Sequence, residues 1–464
     1  MTLYPTLTAL STAALLALTA CGGGGGDAPT AESAAVAVTA DNIAQAQAAS
    51  PAVGALSLVS ADSAGRATGG EACAVSADGG LVAFSSGGAV IGANVAGTNA
   101  VYLKNTRSGA VSRVSSSAAG VALTAASTCV GMTPDGRSVV FITTVGTSGA
   151  IYPGGGTQES ALFVKNLQSG ALTRISPPAA SLATTAGFQF SAISDDGQRV
   201  LFVGLPTVDY LGGYSWRING PARALVRDVA GGSLVDLSST VRLDVSINGV
   251  LDSTLALSPD GQQLAFSSQS DYPAVGDSNG QSDVLVHNLS SGALQLATAS
   301  SAGVQAVGSD GRYAVLGFLA SGTRLAFDTM AASSLGSPGV YAKTLGGGAL
   351  AQLAARDANV GSLFNGASGV IFSDDARKAV FTRYNASTRK NQAMLRTLAS
   401  GAEQRIDRSA TGTQGNGASQ QPLLSRDGSS VAFFSNATNL ASIGRLVTYQ
   451  TYLKTIDAPA VTVR

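Results

Sequence analysis

The stretch ALSPDGQQLAFSS occupies residues 256–268, and two similar stretches stand elsewhere in the chain. They read AVSADGGLVAFSS at residues 74–86 and LLSRDGSSVAFFS at residues 423–435. Each joins a short apolar run to a second apolar run through an Asp-Gly pair. This arrangement is a strong hairpin signal. It predicts a strand, a two-residue turn with both residues at positive φ, and a second strand.

The phrase is a repeat, and repeats decide a fold before any other signal. Aligned on its aspartate it is found seven times, at Asp78, Asp135, Asp196, Asp260, Asp310, Asp375 and Asp427. A phenylalanine follows at a fixed distance in every copy except the fifth, where the aligned residue is Leu316. The sixth copy has Ala376 in place of the turn glycine.

A second phrase follows each copy of the first, for example VYLKNTRSGAVSRVS from Val101 and VLVHNLSSGALQLAT from Val284. It predicts another hairpin, turning at a glycine. A basic residue recurs on its first strand, at Lys104, Lys165, Arg227, His287, Lys343, Arg396 and Lys454. We expect this column to face outward. His287 is the only histidine, which excludes a multi-histidine metal site.

Together the two phrases define four short antiparallel strands per repeat. One such sheet cannot bury its own apolar residues, but seven sheets stacked around an axis bury both faces of each. The sequence therefore predicts an all-β fold, a seven-bladed β-propeller over residues 54–464. GALSLVS at residues 54–60 is similar to the fourth strand of a repeat, but the other three strands do not precede it. We expect it to pair with the outer edge of the last blade, where residues 460–464 compete for the same place.

The two phrases resemble the repeats of TolB-like, WD-type β-propellers of bacterial periplasmic proteins. The stretches at residues 276–292 and 413–440 are most similar to that pattern. The resemblance covers roughly residues 55–464 and implies docking of a protein in the periplasm. It names no partner.

The N-terminus is predicted to direct export. Residues 7–20 form an apolar run of signal-peptide size, and LTAC at residues 18–21 resembles the lipobox of bacterial lipoproteins. The resemblance implies that residues 1–20 are removed and that Cys21 carries lipid. Residues 21–53 then form a flexible linker that begins with a glycine run. The alternative is an ordinary signal peptide that contains a cysteine, and the first residues lack the usual Lys or Arg.

Long connections are predicted on the propeller face opposite the Asp-Gly turns, and binding residues concentrate on such loops. One connection, at residues 205–223, carries the only tryptophan. Its aromatic and basic side chains suit contact with a partner: Tyr210, Tyr214, Trp216 and Arg217. The alternative is that the aromatics pack on their own scaffold.

A second connection contains DSNGQSD at residues 277–283. Asp277, Asn279 and Asp283 offer oxygen ligands around a glycine, which suits calcium. The stretch lacks the closing glutamate of a helical calcium loop, and the alternative is a polar turn.

Cys73 and Cys129 stand just before the Asp-Gly turns of the first two repeats. An exported protein permits a disulfide between them. Neighbouring blades could also hold them too far apart, so the sequence leaves the pairing open.

Composition narrows the function. Apolar residues make up 45% of 464 residues, and 28 basic side chains balance 28 acidic ones, so nothing attracts nucleic acid. No feature marks an oligomer interface, which favours a monomer.

The leading expectation is a non-enzymatic, lipid-anchored binding module for a protein or glycan, on the periplasmic face of the outer membrane or at the cell surface. The alternative is an enzyme acting on polysaccharide or peptidoglycan fragments, with carboxylates at the channel mouth.

Overall fold

The fold is a seven-bladed β-propeller, as the repeats predict. The computed structural model describes residues 54–91, 98–145, 159–178, 181–182, 185–212, 215–245, 251, 253–307, 313–329, 333–355, 370–441 and 449–457. Its strands form seven antiparallel sheets, six of four strands and one of five. The last sheet combines three C-terminal strands with the first strand of the chain, and the main strands of the other six follow the sequence order. The first strands of neighbouring sheets contact one another, so they line the central channel.

The strands divide among the blades as follows. Blade 1 holds β2 (Glu71–Val75), β3 (Leu81–Ser86), β4 (Ala100–Asn105) and β5 (Val111–Arg113); blade 2 holds β6 (Ser127–Met132), β7 (Ser138–Val145), β8 (Glu159–Asn166) and β9 (Leu172–Arg174). Blade 3 holds β10 (Thr185–Ile193), β11 (Arg199–Gly212), β13 (Arg223–Asp228) and β14 (Leu234–Asp236), and β12 (Ser215–Asn219) pairs with an extension of β11. Blade 4 holds β15 (Leu255–Leu257), β16 (Gln263–Ser268), β17 (Asp283–Asn288) and β18 (Leu294–Leu296). Blade 5 holds β19 (Tyr313–Leu319), β20 (Arg324–Thr329), β21 (Gly339–Thr344) and β22 (Leu350–Ala355). Blade 6 holds β23 (Ile371–Phe372), β24 (Lys378–Asn385), β25 (Lys390–Thr397) and β26 (Glu403–Arg405). Blade 7 holds β27 (Ser419–Leu424), β28 (Ser430–Ser435), β29 (Gln450–Thr455) and β1 (Leu56–Leu58).

Two short 3-10 helices, Pro273–Val275 and Ala320–Gly322, complete the described elements. No helix in the described ranges is long and apolar enough to cross a membrane.

The N-terminal strand closes the ring, which confirms the prediction for residues 54–60. Strand β1 pairs antiparallel with β29, setting Leu56 opposite Lys454 and Leu58 opposite Tyr452. The first strand of the chain is therefore the outer strand of the last blade. Residues 460–464, the competing candidate, lie outside the described residues.

A phenylalanine on the second strand of every blade builds the core between blades. All seven side chains have no exposed surface: Phe84, Phe141, Phe202, Phe266, Phe327, Phe381 and Phe433. Burying one such ring contributes about 1.5–3 kcal/mol. The repeated phenylalanine is thus the packing unit that the sequence pattern encodes.

The sequence alignment was wrong in blade 5. Its first hairpin turns at Ala320–Gly322, not at Asp310, because β19 ends at Leu319 and β20 begins at Arg324. The phenylalanine of this blade is therefore Phe327, and Leu316 lies on the first strand. Asp310 and Gly311 lie outside the described residues.

The Asp-Gly turns also differ from the two-residue turn predicted. In blade 4 the Ser258 N–H donates to the Gln263 carbonyl at 2.8 Å, so four residues form the turn. Only Gly261 has positive φ, at 67°. Asp260 instead accepts the Gln262 N–H at 2.9 Å and the Ser258 hydroxyl. The aspartate is selected as a hydrogen-bond acceptor, and the glycine for its backbone conformation.

Ala376 occupies the glycine position of blade 6 with φ of 56°. A residue with a Cβ is strained there. Substituting Ala376→Gly should therefore raise the free energy of unfolding by about 0.5–1 kcal/mol, measured as a higher urea midpoint at unchanged slope.

The matched control is the reverse change at the equivalent position of blade 4. A Cβ on Gly261 would lie 3.1 Å from the Arg199 Cδ, at φ of 67°. Gly261→Ala should therefore lower the urea midpoint. A lower midpoint for Ala376→Gly as well would show that this turn does not require glycine.

The residue before each turn aspartate, and its counterpart before Ser321 in blade 5, lies on a ring around the channel. The ring consists of Ala77, Pro134, Asp195, Pro259, Ala320, Asp374 and Arg426. Backbone hydrogen bonds join several neighbours: the Asp374 N–H donates to the Arg426 carbonyl at 2.8 Å, and the Ala77 N–H to the Pro134 carbonyl at 2.7 Å. These bonds connect adjacent blades where they meet at the axis.

The basic column is buried or half-buried rather than facing outward as expected. Lys343 is 2% exposed, and its Nζ donates to the carbonyls of Ala299 and Ser300 at 3.1 and 2.8 Å, in the connection after blade 4. Burial lowers the pKa of Lys343 and of Lys165. His287 occupies the column in blade 4 at 4% exposure, and burial lowers its pKa too.

Cys73 and Cys129 form a disulfide between the first strands of blades 1 and 2, with Cα atoms 5.7 Å apart. Two features bring them together. First strands converge on the axis, where blades are closest. Cys73 also lies in a β-bulge between Ala72 and Ala74, and a bulge re-aims a side chain.

Candidate functional site

Two connections singled out in the sequence lie on the propeller face opposite the Asp-Gly turns, which we call the loop face. The Asp-Gly turns define the turn face. The second strand of each blade runs from the turn face to the loop face, so the connections after β11 and β16 emerge on the loop face.

The connection in blade 3 is a β-hairpin that extends the second strand. Residues 207–212 of β11 pair with β12, which sets Tyr210 opposite Trp216 and Asp209 opposite Arg217. Arg217 is exposed. Tyr214 lies outside the described residues. The hairpin therefore brings three of the four expected partner-binding residues onto one ladder, and their role stays a prediction.

The connection in blade 4 buries two carboxylates. Asp277 and Asp283 have no exposed surface. The Gln305 amide nitrogen lies between them, 2.8 Å from the Asp277 Oδ1 and 3.2 Å from the Asp283 Oδ2. Asp277 also accepts the Tyr272 N–H at 3.1 Å, and Asp283 accepts the Thr298 hydroxyl.

All of these donors are neutral. No Lys, Arg or His forms an ion pair with either aspartate among the described residues. Burial raises the pKa of Asp283 to about 6, and the nearby Asp277 adds to the effect. Burial also raises the pKa of Asp277, with Asp271 contributing repulsion. The pair therefore favours a retained proton at mildly acidic pH, or a cation that compensates the charge once both carboxylates are ionised.

Asn279, the third ligand expected from the sequence, lies beside the pair. Its amide nitrogen donates to the Ala306 carbonyl at 3.0 Å, and its Oδ1 accepts the Gln281 N–H at 2.8 Å. The described residues hold no cluster of three or more His, Cys, Asp or Glu side chains in metal-binding geometry. A cation here would therefore need neutral oxygens beside the two carboxylates.

Sequence reasoning missed Gln305 and Thr298. Both follow β18 in the connection to blade 5, so they reach the aspartates only in the folded propeller. Gln305 occupies a short bridge with Ala299 that recurs after blades 1 and 6, at Ser116 with Ala122 and Arg408 with Gln414. This recurrence could have indicated that the backbone of Gln305 holds a defined position in the connection between blades.

Carboxylates near the channel are divided between its two ends. On the turn face, Asp195 and Asp374 belong to the ring that precedes the turn aspartates. Toward the loop face, Glu71 begins the first strand of blade 1, and burial raises its pKa, partly offset by a hydrogen bond from Gln421. Glu71 is the only acidic residue on the described first strands, so these strands do not themselves present a carboxylate cluster.

The geometry defines the chain as a seven-bladed β-propeller, and comparison with known proteins adds solved structures of that fold. No family model matches the chain, and no curated protein matches it. An oligogalacturonate lyase in complex with manganese is similar at 12% identity and a TM-score of 0.48, over 86% of this chain and 89% of that one. TolB from Acinetobacter baumannii is similar at 11% identity and a TM-score of 0.36, over 84% and 80%.

The acylaminoacyl peptidase of Pyrococcus horikoshii is similar at 10% identity and a TM-score of 0.45. The match covers 79% of this chain and 49% of the peptidase, so this chain spans about half of that protein's length. At these identities the likenesses show the fold alone.

The comparisons correct one expectation. The chain was expected to be a non-enzymatic binding module, yet enzymes stand beside TolB among the similar solved structures. The propeller fold therefore does not support a non-enzymatic assignment, and that expectation is withdrawn.

Proposed function

We propose that this chain is an exported, lipid-anchored β-propeller of the bacterial cell envelope with a calcium site on blade 4. The tetrapeptide LTAC and the glycine run after Cys21 support the anchor. The disulfide between Cys73 and Cys129 supports export, because such bonds persist in oxidising compartments. The TolB-like character of the repeats agrees with this location.

The observation that carries the calcium proposal is the pair of fully buried carboxylates, Asp277 and Asp283, which form no ion pair with a basic side chain in the described ranges. Burying a carboxylate is costly unless a cation or a proton compensates its charge. Calcium prefers carboxylate, carbonyl and amide oxygens. The Gln305 side chain now donates to both carboxylates, and rotating its amide would present an oxygen to the ion instead.

Calcium binding should stabilise the protein. A dissociation constant of about 0.1–1 mM is typical of extracellular calcium modules. At a calcium concentration of about 10 mM, such a site should raise the melting temperature by roughly 2–3 °C over the value in chelator. Calorimetric titration at pH 7.5 and thermal unfolding measure both quantities.

Matched variants locate the site. Asp283→Asn and Asp277→Asn should each abolish the calcium-dependent rise, whereas Asp62→Asn removes an acidic side chain from the loop after β1 and should leave the rise unchanged. Equal melting temperatures in calcium and chelator for the wild type would refute the proposal. An undiminished rise in Asp283→Asn would place calcium elsewhere and refute this site.

A further inference from the structure

A cavity lies at the turn-face end of the central channel. It has a volume of about 290 Å³. We call it the channel pocket. Most of the side chains that line it are apolar and come from five blades, including Met132, Leu316, Phe318, Phe372 and Leu424, although polar atoms make up more than half of the surface that faces the cavity. The pocket is separate from the blade-4 aspartates, which lie on the opposite face.

Charged groups are confined to the rim of the channel pocket. Arg426 of blade 7 donates from both terminal guanidinium nitrogens to Asp195 of blade 3, with an Nη2–Oδ1 distance of 2.8 Å. Blades 3 and 7 face each other across the axis, so this ion pair spans the channel. Both side chains are about one-third exposed, at 35% and 37%.

A second carboxylate lies at the rim and forms no ion pair within the described part of the chain. Asp374 lines the pocket beside Arg426, and its Oδ1 accepts the Ser321 N–H at 3.3 Å. No described Lys or Arg forms an ion pair with it. The three charged rim residues therefore carry one more negative than positive charge.

We propose that the channel pocket binds a small organic cation, an ammonium group on an apolar body. Apolar side chains in a wall that also exposes polar atoms accept the body, and Asp374 supplies the charge complement at the rim. Phe318 and Phe372 add aromatic surface, which also attracts cations. A carboxylate ligand is disfavoured because Asp195 already engages the paired donors of Arg426.

Three probes of one shape test the charge preference: 2-phenylethylammonium, phenylacetate and 2-phenylethanol. We expect the ammonium probe to bind about fivefold more tightly than phenylacetate at low salt, because one partly buried carboxylate selects between them. Ligand-observed NMR titration of the full chain at pH 7 measures the three dissociation constants. Equal constants, or no binding of the ammonium probe, would overturn the proposal.

Variants assign the preference to the rim. Asp374→Asn should bring the ammonium probe to the affinity of the neutral alcohol. Asp195→Asn frees the Arg426 guanidinium and should strengthen phenylacetate binding. Asp236→Asn changes net charge equally on the outer strand of blade 3 and should retain the fivefold preference.

A filled pocket gives an independent measurement. Ala77 lines the pocket at a ring position that already accommodates Ala, Pro, Asp and Arg in different blades. Ala77→Trp should fold, as its melting transition will show, and should abolish binding of all three probes. Unchanged ammonium binding in either Asp374→Asn or a folded Ala77→Trp protein would place the probe elsewhere and overturn the proposal.

Discussion

Replacing Cys73 and Cys129 together by alanine is expected to lower the free energy of unfolding by about 4 kcal/mol. The disulfide joins residues 56 positions apart. Closing a loop of this length removes conformational entropy from the unfolded chain, worth about 4 kcal/mol in the chain-entropy model. Cys129 is 6% exposed, so the loss of its sulfur from the core adds to the effect.

Urea unfolding of the oxidised wild type and of the double variant measures this difference. Reductant should destabilise the wild type by nearly the same amount and leave the double variant unchanged, which separates the bond from the change of side chain. A double variant within about 1 kcal/mol of the oxidised wild type would show that the bond contributes little, as some disulfides do. Blades 1 and 2 would then be held together by packing and hydrogen bonds, including the 2.7 Å bond that the Cys129 N–H donates to the Ser85 hydroxyl oxygen.

The repeat could be predicted from sequence because each blade uses the same phenylalanine and the same turn. Where the turn chemistry changed, the prediction failed. Blade 5 has Leu319 and Ser321 where other blades have a hydroxyl residue and an aspartate, so its polar signature is missing. The Asp310-Gly311 pair matches that signature a few residues earlier, which misled the alignment. The second strand of the hairpin nevertheless has its phenylalanine, Phe327, at the usual place.

The candidate sites show the same limit. The spacing of Asp277 and Asp283 placed both on one loop, but their burial depends on Gln305 and Thr298 from the next connection. The channel pocket had no sequence signal, because its residues come from five blades. Asp195 and Arg426 lie 231 positions apart and become neighbours only when the ring closes. A repeat predicts what each blade shares, whereas these sites depend on residues that differ between blades.

Without calcium, the stability of the protein should fall as pH rises through the folded-state pKa of Asp283. Burial raises that pKa from 3.8 to about 6, so the folded state holds a proton that the unfolded state releases. The stabilisation is complete below about pH 4 and is lost as pH rises through about 6. A difference of about two pKa units corresponds to at most roughly 3 kcal/mol.

His287 titrates in an overlapping range with the opposite sign. Burial lowers its pKa below 6.5, so its contribution to stability is lost as pH falls through the folded value. The pH profile of the wild type alone therefore mixes the two groups. The difference between wild type and Asp283→Asn, measured in chelator at each pH, cancels the histidine and reports the Asp283 carboxyl together with its coupling to Asp277.

That difference should favour the wild type by up to about 3 kcal/mol more at pH 4 than at pH 7. Saturating calcium should reverse its direction, because the ion binds the deprotonated carboxylate and stabilises it as pH rises. A difference that is flat with pH would mean that Asp283 titrates alike in the folded and unfolded states. Burying the Asp283 carboxylate among neutral donors would then cost no electrostatic free energy. Without that cost, the site would have no need of a cation.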